Sequence, residues 1–158
     1  MNTAEKLNSN QPLQWVTFGL GNETYGINVM QVQEVLRVSE IAPVPGSPDY
    51  VIGIINLRGN VVTVVDTRRR FGLPPKEPDS ASRIVIVEAA GQVIGILVDS
   101  VAEVVELSLA EIETAPNVGN EDSARYIQGV TSRDGKLLIL VDLNKFLSEE
   151  EIAEMENS

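Results

Sequence analysis

The sequence predicts an all-β fold, built as two similar lobes and finished by a C-terminal helix. Three observations carry that expectation. First, the chain repeats itself. Residues 53–71 (GIINLRGNVVTVVDTRRRF) match residues 129–146 (GVTSRDGKLLILVDLNKF), with Gly53 falling on Gly129, Gly59 on Gly135, Val65 on Val141 and Asp66 on Asp142. Second, the repeated runs are short and rich in β-branched residues, which suit strands. Third, Gly, Asn and Pro recur between those runs at short spacing, as turns require. Repeated short strands of this kind form barrels or sandwiches rather than βαβ units.

Residues 1–12 are polar and Asn/Ser/Gln-rich and are expected to form a mobile tail. Residues 15–20 (WVTFGL) read as the first strand, Gly21-Asn22 as a turn and 24–28 (TYGIN) as the second strand. Residues 29–38 have helical apolar spacing but β-branched side chains, so a helical turn followed by extended chain is expected. Residues 41–48 hold three prolines and a glycine and read as a loop. The hairpin follows: Ile54, Ile55 and Leu57, a turn at Arg58-Gly59-Asn60, then Val61, Val62, Val64 and Val65.

The first lobe therefore spans about 15–72, and a second proline-rich stretch, about 73–82, reads as a linker. The second lobe, about 83–147, restarts the pattern: Trp15 falls on Ile84, Gly26 on Gly95, Val32 on Val101, Glu34 on Glu103, Val35 on Val104 and Tyr50 on Tyr126. An insertion within 107–125 shifts the frame, as a surface loop tolerates. The last element, 148–156, carries Ser148 as N-cap and Glu151 to complete a capping box, with Leu147 and Ile152 at the staple positions. Lobes of about 70 residues are small for separate cores, so they are expected to pack on a shared apolar seam.

Composition narrows the function. The net charge is -11, which disfavours nucleic acid and anionic membrane as partners. The chain has no cysteine and no histidine. Disulfides, thiolate sites and Ser-His or Cys-His nucleophile pairs are excluded. No export signal is evident and no apolar run reaches the ~18 residues of a membrane span, so a cytoplasmic location is expected.

Few residues invite chemistry. Asp66 and Asp142 stand at matching positions and read either as a shared-proton carboxylate pair or as strand-ending turn caps. Arg68-Arg69-Arg70 reads either as a phosphate patch or as local counter-ions for carboxylates. Glu34 and Arg58 sit beside apolar residues and read either as a structural ion pair or as an interface feature that sets orientation. An interlobe groove would also suit a small ligand.

The runs TYGINVMQVQEVLR, PVPGSPDYVIGIINLRGNVVTVVDTRRRF, QVIGILVDSVAEVVEL, YIQGV and LLILVDLNKFL resemble the CheW-like family of bacterial chemotaxis coupling proteins. The NLRG turn, with its flanking Gly-Ile-Ile and Val-Val-Asp, is the most specific part. The resemblance spans about residue 13 to the C-terminal helix. It implies two five-stranded SH3-like β-barrels on a hydrophobic seam, in a non-catalytic adaptor without cofactor or metal. It implies two partners: the cytoplasmic tip of chemoreceptors, and the CheW-like regulatory domain of the histidine kinase CheA. Carried over by position, Val32, Glu34, Gly53, Arg58 and Val104 would contact the receptor or shape that surface, and Ile41, Ala42, Val61 and Gly129 would serve the kinase. The protein would be cytoplasmic, recruited to membrane-associated receptor arrays, with no nucleic acid and no direct membrane contact.

Overall fold

The computed structural model describes residues 13–113 and 126–145, so the expected tail 1–12 and helix 148–156 lie outside the described residues. Two five-stranded sheets make the fold. The strands are β1 (Leu13–Leu20), β2 (Glu23–Asn28), β3 (Val32–Arg37), β4 (Val51–Leu57), β5 (Asn60–Asp66), β6 (Arg83–Ala89), β7 (Gln92–Val98), β8 (Ser100–Leu107), β9 (Ile127–Arg133) and β10 (Lys136–Val141). One short helix, α1 (Thr67–Arg70), follows β5. A 3-10 turn at Val29–Gln31 precedes β3, which is the helical turn and extended chain expected there.

The sheets run in the orders β8-β1-β2-β10-β9 and β3-β6-β7-β5-β4. Under the internal repeat, β1 to β5 correspond to β6 to β10, so the two orders are one list with the copies exchanged. Each sheet takes the first two strands of one repeat and the last three of the other. The register repeats as well. Val16 pairs with Val104 and Val85 with Val35; Tyr25 pairs with Ile139 and Ile94 with Thr63. The sequence-contiguous lobes 15–72 and 83–147 therefore differ from the sheets. The cause is local: the Val29–Gln31 turn, capped by the Asn28 side chain, carries the chain from one sheet to the other, and Asp99 marks the matching crossing. The 73–82 stretch holds no strand and joins α1 to β6 within one sheet.

Two-sided burial explains the continuous apolar runs. Along β6, Val85 and Val87 face a core shared by both sheets, whereas Ile84 and Ile86 face a core private to their own sheet. On β10, Ile139 and Val141 face the shared core, and Leu138 and Leu140 pack with Trp15 in the other private core. The shared core is the seam. It holds an aromatic row, Phe18–Tyr25–Phe71–Tyr126, with successive ring centroids 5.7, 5.3 and 5.6 Å apart. The Arg70 guanidinium lies over the rings of the repeat-related Tyr50 and Tyr126, at 4.1 and 5.5 Å.

Each sheet is open in its strand order, and one isolated bridge ties the chain beyond one edge strand to the other edge strand. The chain leaving β3 bridges β4 through Ala42 and Ile54, with N–H to carbonyl distances of 2.9 and 2.8 Å. The chain leaving β8 bridges β9 through Glu113 and Val130, both bonds 2.8 Å. Glycine lies beneath each bridge. A Cβ on Gly53 would overlap the Ala42 carbonyl, and one on Gly129 would stand 2.6 Å from Ile112 Cγ2 and 3.0 Å from the Glu113 carbonyl oxygen. This close approach accounts for the glycines that align the two repeats. In the hairpin, Arg58 and Gly59 both take positive φ, 51° and 88°, as a two-residue turn requires, and Asn60 already belongs to β5.

Gly53→Ala is expected to destabilise the protein by about 1–3 kcal/mol in urea unfolding, because backbone rather than a mobile side chain must move aside. Fragments 1–77 and 78–158 are each expected to lack a cooperative unfolding transition alone, and to regain β circular dichroism when mixed. A monomeric fragment that folds by itself would contradict the strand exchange.

Candidate partner-binding surface

β3 alternates, with Val32, Glu34 and Leu36 half-buried and Gln33, Val35 and Arg37 exposed. This places Glu34 at the edge of its sheet, facing the hairpin turn that ends the opposite edge strand. Arg58 reaches across from that turn and holds Glu34 in a two-pronged ion pair, with Nη2 on Oε2 and Nη1 donating to Oε1 at 3.3 Å. The Arg58 hydrogen bond holds the Glu34 carboxyl below its ordinary value, against a smaller opposing effect of desolvation. The Arg58 side chain remains 70% exposed, so the pair contributes little to stability.

The repeat breaks at this point. The matching positions carry Glu103 and Asp134, two acids that cannot pair. The two-fold pattern of the chain thus yields one ion-paired edge and one acidic edge.

An open cleft of about 510 Å³ is lined by Ile41, Ala42, Ile54, Asn56 and Val61 among others, with the paired Asn56 and Val61 flanking the Arg58 turn. Val61 is the most prominent apolar feature there, 68% exposed at the start of β5. Its repeat counterpart, Leu137 at the second position of β10, is 42% exposed. The edge strands repeat the pattern, with Val35 on β3 at 42% and Val104 on β8 at 52%. Apolar exposure recurring at related positions differs from the scattered exposure that any surface shows.

Of the residues expected to face the receptor, the structure joins Glu34 and Arg58 directly. Val104 lies on an edge strand of the other sheet. Val32 packs partly against the seam, and Gly53 is buried under the Ala42 bridge, so these two shape the surface rather than present it. Of the residues expected to face the kinase, Ile41, Ala42 and Val61 share the cleft. Gly129 occupies the twin position beneath Ile112 and Glu113 and does not line that cleft. Sequence reasoning paired Val35 with Val104 but missed the exposure of Val35; strand alternation around Glu34 is the signal that gives it.

The two aspartates act as caps. Asp66 accepts from the amides of Arg68 and Arg69, at 3.0 and 3.4 Å, and Asp142 accepts from the amide of Asn144 at 3.0 Å. The arginine run is divided among separate tasks: Arg68 pairs with Asp99, Arg69 lies 3.8 Å from Asp66, and Arg70 covers the tyrosines. Among the described residues, no group of three or more His, Cys, Asp or Glu is arranged to hold a metal ion. No helix among them is long and apolar enough to cross a membrane.

Because the folded pKa of Glu34 is lowered, the ion pair is complete at neutral pH and is lost as pH falls through that lowered value. Arg58→Ala is expected to raise the Glu34 pKa toward its ordinary value, read by carboxyl-carbon NMR titration, with little change in melting temperature. An unmoved titration would show that the pair does not form in solution.

Comparison with known proteins places the chain in a family. The family model described as the CheW-like domain matches residues 14–151. The chain is 33% identical to the chemotaxis protein CheW of Klebsiella aerogenes, over 91% of this chain and 87% of that one. It is also 33% identical to the chemotaxis protein CheW of Treponema pallidum, over 94% of this chain and 90% of that one. The crystal structure of the scaffolding protein TtCheW from Thermoanaerobacter tengcongensis superposes with a TM-score of 0.81 at 33% identity, covering 89% of this chain and 97% of that one. With the family model matched across both sheets, the chain belongs to the CheW-like domain family.

Proposed function

We propose that this protein is a non-catalytic chemotaxis adaptor that couples the cytoplasmic tip of chemoreceptors to the histidine kinase CheA in signalling arrays. Its relatives are named chemotaxis proteins, and the matched structure is titled a scaffolding protein. The observation that carries the reading is the broken repeat. One edge alone bears the Glu34–Arg58 pair, next to the cleft of Ile41, Ala42 and Val61. An exposed ion pair of small stabilising value, flanked by exposed valines, suits recognition and orientation of a partner.

In this reading the receptor tip lies against Glu34, Arg58 and Val104, on a surface shaped by Val32 and Gly53. The CheW-like regulatory domain of CheA sits on Ile41, Ala42 and Val61, with Gly129 holding the backbone of the second sheet in shape. Each curled sheet, its edges joined by a bridge, acts as a five-stranded SH3-like barrel, and residues 13–158 work as one unit. The adaptor is cytoplasmic and reaches the membrane only through its receptors. Individually weak contacts gain effective concentration when several are made at once in an array. The adaptor shifts kinase activity only as far as it binds the kinase states with different affinity.

Titration calorimetry tests the assignment with two variants. Arg58→Glu is expected to weaken binding of a receptor signalling fragment by about tenfold or more, leaving affinity for the CheA regulatory domain nearly unchanged. Val61→Glu is expected to do the reverse. Unchanged receptor affinity in folded Arg58→Glu would remove that surface from the assignment.

A further inference from the structure

We propose that Arg68 and Asp99 form a clamp that fixes the angle between the two sheets, and with it the relative placement of the two partner-facing edges. Asp99 stands where the chain crosses from β7 to β8. Its carboxylate takes a forked pair of hydrogen bonds from Arg68, Nε to Oδ1 at 2.9 Å and Nη2 to Oδ2 at 2.7 Å. The same carboxylate accepts from the amide of Gly21, in the β1–β2 turn, at 2.8 Å. The Asp99 amide donates to the Gly19 carbonyl at 3.0 Å. Arg68 further donates to the Pro74 carbonyl at 2.8 Å. One ion pair thus ties α1 and the following 73–82 stretch, on one side, to the β1–β2 turn of the other sheet and to the strand crossing.

Three features separate this pair from an ordinary surface bridge. Both side chains are largely withdrawn from solvent, 15% and 18% exposed, where a forked pair is screened less than at a free surface. Arg68 holds the Asp99 carboxyl below its ordinary value despite the opposing desolvation, and the Gly21 amide helps. The repeat-related place carries no charge. There Asn144 accepts from the Ala90 amide at 3.2 Å and from Gln31 Nε2 at 3.3 Å. The stronger tie is therefore on one side of the seam.

Its position is what gives it a role. Arg68 lies in α1, which follows directly on β5, at the far end of that strand from Asn60, the exposed Val61 and the Arg58 turn. Asp99 leads directly into β8, the strand that bears Val104. The clamp joins these two strands across the sheets. It deepens the adaptor reading and rests on it: if one partner engages the Arg58 edge and β8 together, the angle between sheets sets how well both are met.

The chain has no cysteine, so spin labels can be placed at Val93→Cys on β7 and Leu137→Cys on β10 in the full chain. Pulsed electron-electron resonance then reads the distance between sheets. The labelled parent is expected to give one narrow distribution, and Asp99→Asn a broader or shifted one. Arg68→Lys, which keeps the charge and loses the fork, is expected to fall between them, and it tests the clamp should Asp99→Asn fail to fold. Distributions indistinguishable from the parent would overturn the proposal. In binding assays with the receptor fragment and the kinase regulatory domain, Asp99→Asn is expected to leave kinase affinity within about twofold. Receptor affinity, which depends on both sheets, should fall by about fivefold. Equal loss of both affinities would mark a general defect of folding and overturn it as well. A parent chain that binds neither partner would defeat the adaptor reading, while the distance measurement would still judge the clamp.

Discussion

Each repeat of this chain is two strands short of one sheet and three strands short of the other, and everything else in the fold follows from that exchange. A strand such as β6 sits inside its sheet with both faces covered, Ile84 and Ile86 against one core and Val85 and Val87 against another. Burying an aliphatic side chain of this size contributes about 1.5–3 kcal/mol. That gain is realised only when strands of the other repeat are in place. The two halves therefore stand or fall together, and the seam between the sheets is an interior rather than a docking contact.

The exchange also positions the surface. β3 and β4 are the two edge strands of one sheet, and Arg58, in the β4–β5 turn, reaches Glu34 on β3. The Gly53 bridge brings Ile41 and Ala42 alongside, and Val61 completes the cleft. At the seam, α1 and Phe71 serve as a rivet. Arg68 reaches the strand crossing, Arg70 spans the twin tyrosines and Phe71 packs between Tyr25 and Tyr126. An exposed ion pair of little energetic value thus rests on a deeply packed frame, which is the arrangement a recognition surface requires.

What could be read from the sequence was local or repeated. The hairpin is legible from Gly59 and Asn60 between two apolar runs, although the turn itself is Arg58 and Gly59, both at positive φ, and Asn60 already pairs in β5. The 29–38 stretch was legible as a turn followed by a strand from its mixed spacing and branching. The duplication revealed Gly53 with Gly129, yet not why glycine stands there, since the bridging chain comes from outside the hairpin. Strand exchange left no local trace: hydrophobic alternation shows that a strand has a buried face and says nothing about which strand lies beside it. For the same reason the sequence offers the arginine run as a phosphate patch or as counter-ions for carboxylates, and does not name Asp99 as the carboxylate that Arg68 meets. Asp99 lies 31 residues away and meets it only through the crossing. Glu34 and Arg58 were singled out for their apolar surroundings, and the fold supplied the contact between them.

If one folded unit offers two compatible surfaces, sedimentation velocity will reveal it. The chain is mixed with a receptor signalling fragment and the CheA regulatory domain, each first shown to bind alone. A new, faster species that contains all three components is expected. Two binary complexes that displace one another, with no ternary species at saturating concentrations, would contradict it.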